Sequence, residues 1–284
     1  MTAGELYRLV RAQLLQAGIG DAAFDAGCLM EDIGGVPKSR FLFGGDTPLP
    51  PDRVQAVRAA ADRRAAGYPL QYLLGEWAFL GLRLQVGEGV LIPRPDTEVL
   101  CETAARLLSA AFPDEAVLPV LDLCAGTGCV GLGTASLCPR VQPTCVELSD
   151  RAFAYLTANL KRYPRQNGCA VQADIRTMPV PPARYAALLS NPPYIPTDEL
   201  SGLMREVQRE PVMALDGSAD GLAFYRVITE RWLSCLRPGG LCAVEVGAGQ
   251  AEAVETLFAE AGLTGLMRER DAAGIERVVA GFRP

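Results

Sequence analysis

Asn191, Pro192, Pro193 and Tyr194 stand together directly after the apolar run 185–190. Two consecutive prolines continue neither a sheet ladder nor a helix, so the chain must turn stiffly at that strand end. An asparagine fixed there offers its side-chain carbonyl beside the Pro192 backbone carbonyl. Those two acceptors can take the hydrogens of a planar N–H₂ group while the Tyr194 ring packs on its face. Such a grip suits methylation of a nitrogen in a conjugated plane. A tight proline-rich turn without chemistry reads the same in isolation, so the rest of the chain must decide.

A second set of residues supplies the decision. Asp122, Leu123, Cys124, Ala125, Gly126, Thr127 and Gly128 lie between an apolar strand and a helix. Glycines there let backbone approach a ligand, and the following helix offers N–H groups and a positive end. Glu147 follows Gly128 by nineteen residues and ends the next strand, where a carboxylate can accept both hydroxyls of a ribose. Asp174 ends the third strand, placed to reach an adenine amino group. Gly126, Gly128 and Gly131 also satisfy G-x-G-x-x-G, which makes NAD or FAD the competing ligand. Asp122 separates the two: a carboxylate there repels a pyrophosphate and welcomes the ammonium and sulfonium of S-adenosylmethionine. A glycine turn with no ligand is the bland alternative, and the acidic residues at matching strand ends weigh against it.

The elements that must position these residues fall into two parts. Residues 1–74 carry helical spacing at 5–15, at 22–30 and at 51–66, the last opening on Pro51 and Asp52 and closing at Gly67. Residues 75–86 alternate around Gly81 like a β-hairpin, which 90–93 continue as a linker. Helical periodicity resumes over 97–108. Strands are expected at 117–123, 143–147, 169–173, 185–190, 241–246, 263–268 and 276–282, with helices at 131–137, 150–162, 221–236 and 250–261. A turn is expected at 237–240. Alternating β and α with short turns predicts an α/β fold with a doubly wound, mostly parallel seven-stranded sheet. The domains expected are 1–74, a linker at 75–95 and a larger domain at 96–284.

Composition narrows the function. The 284 residues carry a net charge of −6 without a dense Lys/Arg cluster, which argues against a nucleic-acid partner. There is no histidine, so the commonest general base and Ser–His or Cys–His pairs are missing. Nine cysteines include no C-x-x-C, and no metal is expected. The opening residues lack the apolar core of a signal peptide, and no stretch reaches the roughly 18 apolar residues of a membrane span. A cytoplasmic protein with reduced thiols is expected.

Together these motifs resemble the class I (Rossmann-like) methyltransferases, and more narrowly the HemK/PrmC family of protein-glutamine N5-methyltransferases that modify peptide-chain release factors. The likeness spans nearly the whole chain. It includes 71–77 (QYLLGEW) and 90–98 (VLIPRPDTE) as a linker signature, with Arg209-Glu210-Pro211, Ala214-Leu215 and 220–222 after the NPPY turn. Residues 271–278 resemble the family's C-terminal signature. The resemblance implies that Gly126 and Gly128 cradle the cofactor, Asp122 meets its amino group, Glu147 its ribose, and Asp174 its adenine. It implies that Asn191 to Tyr194 hold the target glutamine amide of class I release factors, with no nucleic acid, no membrane and a monomeric enzyme. Three departures stand out: Glu147 where many relatives carry Asp, Cys124-Ala125 in place of Gly-Thr, and Ile175 where some present an aromatic. A ribosomal-protein glutamine, or an adenine N6 held by the same tetrapeptide, are the alternative substrates. Arg94 is read either as an anchor of the linker or as a structural ion pair. Glu245 is read as touching substrate or as satisfying a loop. Trp77 is expected to hold the hairpin against the larger domain, and residues 1–74 to dock the protein substrate.

Overall fold

Leu6, Val10 and Leu14 recur at helical spacing and are fully buried, which makes α1 (Ala3–Gln16) the spine of the first of two units. The computed structural model describes residues 1–44 and 48–284; residues 45–47 of the expected helical domain lie outside them. Thr2 and Glu5 close a reciprocal capping box on α1, at 3.2 and 2.8 Å. The unit continues through α2 (Ala22–Cys28), α3 (Lys38–Phe43), α4 (Pro51–Ala65) and α5 (Leu70–Leu74). It also takes in residues 204–209. The second helix runs on through a π-helical turn, Leu29–Ile33, beyond its expected end. Helices α3 and α5 were not expected, because five or six residues are too few to display a period.

Within this unit Arg64, from α4, is buried against Asp25 of α2, with Nε to Oδ2 at 2.6 Å. Its Nη1 reaches Glu206 Oε1 at 2.7 Å, which ties residues 204–209 to the helices.

The second unit begins at Trp77, within a hairpin of β1 (Glu76–Phe79) and β2 (Leu82–Gln85) turned by Leu80 and Gly81, both at positive φ. Trp77 packs on Val86, Val90 and Ala152. Then follow α6 (Pro95–Ala111), β3 (Leu118–Leu123), α7 (Cys129–Leu137), β4 (Val141–Glu147), α8 (Asp150–Arg162), β5 (Cys169–Gln172) and β6 (Tyr185–Ser190). The chain ends through α9 (Ala223–Val227), β7 (Leu236–Glu245), α10 (Ala251–Glu260), β8 (Thr264–Arg270) and β9 (Glu276–Phe282).

The sheet order is β5-β4-β3-β6-β7-β9-β8, with the first five strands parallel and β9 antiparallel to both neighbours. Alternate strand residues enter two cores. Val120, Cys145, Ala187 and Ala243 meet α6, α7 and α8, whereas Leu121, Val146, Leu188 and Val244 meet α9, α10 and Trp232.

Two expectations need correction. The helix expected over 221–236 is α9 alone, followed by a π-helical turn (Ile228–Trp232) and a 3₁₀ turn (Leu233–Cys235). The turn expected at 237–240 lies inside β7. Leu236 pairs with Tyr185 and Leu241 with Ala187, so the Pro-Gly-Gly stretch bulges while pairing resumes beyond it.

The Arg64–Asp25 pair gives the helical unit a specific vulnerability. Arg64→Ala leaves a buried carboxylate without its partner and should cost about 3–5 kcal/mol. Hydrogen exchange should then speed up in α2 and α4 while β3 and β6 keep their protection; unchanged exchange in both helices would contradict this.

Candidate active site

Because β3, β4, β5 and β6 are parallel neighbours, their C-terminal ends share one edge of the sheet, where the connecting loops converge. A cavity of about 430 Å³ opens there, lined from the linker, from these strand ends and from residues 211–218. That volume suits a small-molecule ligand of a few tens of atoms.

Cys124, Ala125, Gly126, Thr127, Glu147, Asp174, Ile175, Asn191 and Pro193 all line it. The loop after β3 is fixed by its own partners. Glu147 accepts from Gly126 N at 2.8 Å through Oε2 and from Ser149 N at 2.7 Å through Oε1. Each oxygen keeps a second lone pair, so the carboxylate can still accept a diol. Cys124 adopts a positive φ of 59°, a strained setting for a residue with a Cβ. Its thiol, like that of Cys129, is pushed up by burial and is no nucleophile.

Asp174 grips Arg176 in a fork, with Nε at 2.9 and 3.1 Å and Nη2 at 2.8 Å, which lowers its carboxyl below the usual range. Arg176 also lines the cavity. Ile175 lends an apolar wall, and its carbonyl accepts from Trp232 Nε1 at 2.9 Å.

Four expected site residues lie behind the cavity wall rather than on it. Asp122 is fully buried, accepts from Gly131 N at 2.9 Å and does not line the cavity, so it offers no surface to a ligand's amino group. Its side chain points into the first turn of α7, a direction that a motif at a strand end does not reveal. Gly128 caps α7 at φ 80°, and a Cβ there would stand 2.7 Å from Leu156 Cδ1. That positive φ, which residues with a Cβ rarely adopt, calls for glycine there without a ligand's approach. Pro192 is buried, and Tyr194 turns its hydroxyl to Glu245 Oε1 at 3.5 Å. Burial and the nearby Glu245 push the Tyr194 phenol up, so it is not at its unperturbed value and is still less a proton acceptor.

Asn191 is the residue whose geometry says most. Its Nδ2 donates to Thr97 Oγ1 at 3.1 Å, which leaves Oδ1 as the end free for the cavity. Thr97 sits in the first turn of α6 and is itself buried.

The turn is braced behind by Gln250, whose Nε2 donates to the Tyr194 carbonyl at 2.9 Å. Gly221 lies so close that a Cβ would stand 2.3 Å from that carbonyl oxygen. Arg94 forms an ion pair with Glu210, whose other oxygen accepts from Ile92 N at 2.9 Å. This pair fastens the linker to the segment after the NPPY turn. On α8, Asn159 donates to Thr127 O at 3.0 Å and accepts from Gln85 N at 2.7 Å, joining the hairpin to the glycine loop.

Thr97, Gln250 and Asn159 were not singled out in the sequence. Thr97 and Gln250 stand beside motifs that were read, but partners 94 and 56 residues away leave no local signal. Among the described residues no cluster of His, Cys, Asp or Glu could hold a metal ion, and no helix is long and apolar enough to cross a membrane.

Comparison with known proteins agrees with this layout. Residues 5–75 match the PrmC N-terminal domain, and residues 99–209 match the methyltransferase small domain. A release factor glutamine methyltransferase of Geobacter sulfurreducens is 38% identical over 274 residues, covering 95% of this chain and 93% of its own. That of Caulobacter vibrioides is 32% identical, covering 100% and 97%. Among solved structures, the catalytic domain of human Mettl16 in complex with an RNA hairpin aligns with a TM-score of 0.55 at 14% identity, covering 84% of this chain and 85% of that one. A human methyltransferase 10 domain containing protein gives 0.52 at 16% identity, covering 79% and 96%. These two likenesses are of fold.

The burial of Asp122 generates a pH test. Burial first, with Glu147 adding, pushes its carboxyl from the ordinary 3.8 to about 7. The native chain therefore holds a proton that the unfolded chain has released. The stability this confers is full below 3.8 and is lost as pH rises through about 7. Asp122→Asn cannot ionise, so from about pH 5 to about pH 8 it should lose less stability than the wild type, by an amount on the order of 1 kcal/mol or more. Chemical denaturation at both pH values reads this; parallel losses would contradict it.

Proposed function

The chain belongs to the release factor glutamine methyltransferase family, and we propose that its cavity holds S-adenosylmethionine beside the side-chain amide of the glutamine in a class I release factor's Gly-Gly-Gln loop. The observation that carries this reading is Asn191, with its N–H₂ committed to Thr97 and its carbonyl left for the cavity.

The lining fits the cofactor. Glu147 keeps lone pairs for a ribose diol, Ile175 and Val146 give an adenine apolar faces, and Asp174 stands at the same rim. Asp122 then acts through the loop, by holding Gly131 N, rather than by touching ligand. S-adenosylmethionine, when bound, supplies a methyl group on a sulfonium that departs as a neutral thioether.

An amide nitrogen is a poor nucleophile because its lone pair is delocalised into the carbonyl. Asn191 Oδ1 accepts a hydrogen bond from the substrate N–H₂, which shifts electron density onto that nitrogen and fixes its plane. As its new bond to carbon forms, the nitrogen gives up one hydrogen to water, the amide carbonyl of Asn191 only hydrogen-bonding to the N–H₂ group and orienting it. Most of the acceleration then comes from alignment and from an acceptor already in place. No strong base is required, which agrees with a chain lacking histidine. Tyr194, with its phenol raised, serves as packing for the turn.

Residues 1–74 are read as the docking domain for the protein substrate, 75–95 as the linker and 96–284 as the methyltransferase domain. A net charge of −6 favours a protein over a nucleic acid as substrate.

The test uses labelled S-adenosylmethionine and a class I release factor with either Gln or Ala in the loop. Transfer should occur with Gln and vanish with Ala. Asn191→Ala should lower kcat by about 10²–10³-fold while affinity for S-adenosylmethionine holds. Equal labelling of the Ala form, or full activity of Asn191→Ala, would refute the reading.

A further inference from the structure

Arg176 lines the cavity beside Asp174, with 56% of its side chain exposed. It sits in a turn just beyond β5, where Thr177 N and Met178 N both donate to the Asp174 carbonyl, at 3.1 and 2.8 Å. That turn brings the guanidinium back onto the carboxylate two residues earlier. Asp174 Oδ1 accepts from Arg176 N and from its Nε, each at 2.9 Å. Oδ2 accepts from Nε at 3.1 Å and from Nη2 at 2.8 Å.

We propose that Arg176, rather than Asp174, meets the base of the cofactor: the carboxylate anchors the guanidinium, whose remaining N–H groups donate to the edge of the adenine. The inference rests on the S-adenosylmethionine reading of the cavity and adds to it the residue that reads the base.

A count of donors and acceptors decides between the two residues. An ionised carboxylate has about four lone-pair positions. Those of Asp174 meet four contacts from Arg176, two on each oxygen. Nothing is left for an adenine amino group, which comes to a carboxylate as a donor. The guanidinium is in the opposite condition. Of its five N–H groups, Nε and one on Nη2 are taken by Asp174, and the other three have no protein partner among the described residues. The adenine ring nitrogens N1, N3 and N7 are acceptors, and donors are what this corner of the cavity offers them.

An amino group that claimed Asp174 for itself would have to break the fork. It would exchange a two-pronged bond from a cation for a single bond from a neutral donor, so the fork stays closed. The neighbouring walls leave the task to Arg176. Ile175 and Val146 line the cavity with apolar side chains, and the Ile175 carbonyl already accepts from Trp232 Nε1 at 2.9 Å. Glu147, tied to Gly126 N and Ser149 N, is left for the ribose.

This arrangement has a signature in base selectivity. A carboxylate at the base edge demands the amino group and repels a carbonyl in its place. Arginine donors take a carbonyl as readily as a ring nitrogen.

The experiment measures, by calorimetry on the full chain, the affinity for S-adenosylhomocysteine and for S-inosylhomocysteine, which has a carbonyl where adenine carries its amino group. Wild type should bind the two within about threefold of each other. Arg176→Ala uncovers the Asp174 carboxylate, so the inosine compound should then bind about tenfold or more weakly. The adenine compound, gaining the freed carboxylate as it loses the arginine, should stay within about threefold of wild type. Asp174→Ala keeps the donors, and its two affinities should remain within about threefold of each other. A residue that merely held the turn would move both affinities together. An unchanged ratio in Arg176→Ala therefore overturns the proposal. So does a wild type that prefers the adenine compound by about tenfold or more, because Asp174 then reads the amino group itself. If wild type binds neither compound, the cofactor reading of the cavity fails, and this inference falls with it.

Discussion

A primary amide has a donor end and an acceptor end, and in Asn191 the donor end is taken by Thr97. Most of the catalytic unit can be understood as what it takes to keep those two residues 3.1 Å apart. They are 94 positions apart in the chain, so the bond exists only if the start of α6 meets the end of β6. Pro95 at the first turn of α6 starts that helix at a fixed place. Arg277, from β9, holds Asp96 one residue before Thr97. Arg94, two residues before Asp96, is held by Glu210. Segments that look unrelated along the chain, the linker, the stretch after the NPPY turn and the C-terminal strands, converge on the first turn of α6 and its one hydrogen bond to Asn191.

The same logic runs along the sheet edge. Parallel strands put Glu147, Asp174, Asn191 and Glu245 at or just beyond successive C-terminal ends, so their side chains gather without any loop needing to travel far. The backbone between them is held by protein partners: Glu147 on Gly126, Asp122 on Gly131, Gln250 on Tyr194 and Asn159 on Thr127. Groups fixed before a ligand arrives need not reorganise during reaction, which is where dipoles gain their catalytic value. It also explains why the chemistry can do without a strong base. In the proposed reaction a weak nucleophile is assisted by an acceptor whose orientation is settled during folding.

How much of this was legible in the sequence follows from the range of the interactions concerned. The bounds of α8 and β6 were read correctly because a strong period and clear flanking residues mark them locally. The broken helix after residue 222 was not, since a π-turn and a 3₁₀ turn keep the helical spacing of apolar residues while changing the hydrogen bonds. The bulge in β7 looked like a turn because Pro-Gly-Gly is turn chemistry, and only pairing with β6 shows that the strand resumes in the same sheet. At the cavity, Gly126, Glu147, Asp174 and Asn191 are lining residues, and each was singled out because its spacing to a strand end is local. Asp122 was given the wrong contact because a strand end does not say on which side its last carboxylate falls. Thr97 and Asn159 look like ordinary polar residues of helices until their distant partners are in place.

The most direct measurement is a structure of the chain with S-adenosylhomocysteine and a release factor carrying its loop glutamine, read at Asn191. The account predicts glutamine Nε2 at about 2.8–3.2 Å from Asn191 Oδ1, with the bond from Asn191 Nδ2 to Thr97 intact. A glutamine amide beyond about 4 Å from Asn191, or an Asn191 turned away from Thr97 to meet it, would contradict the account.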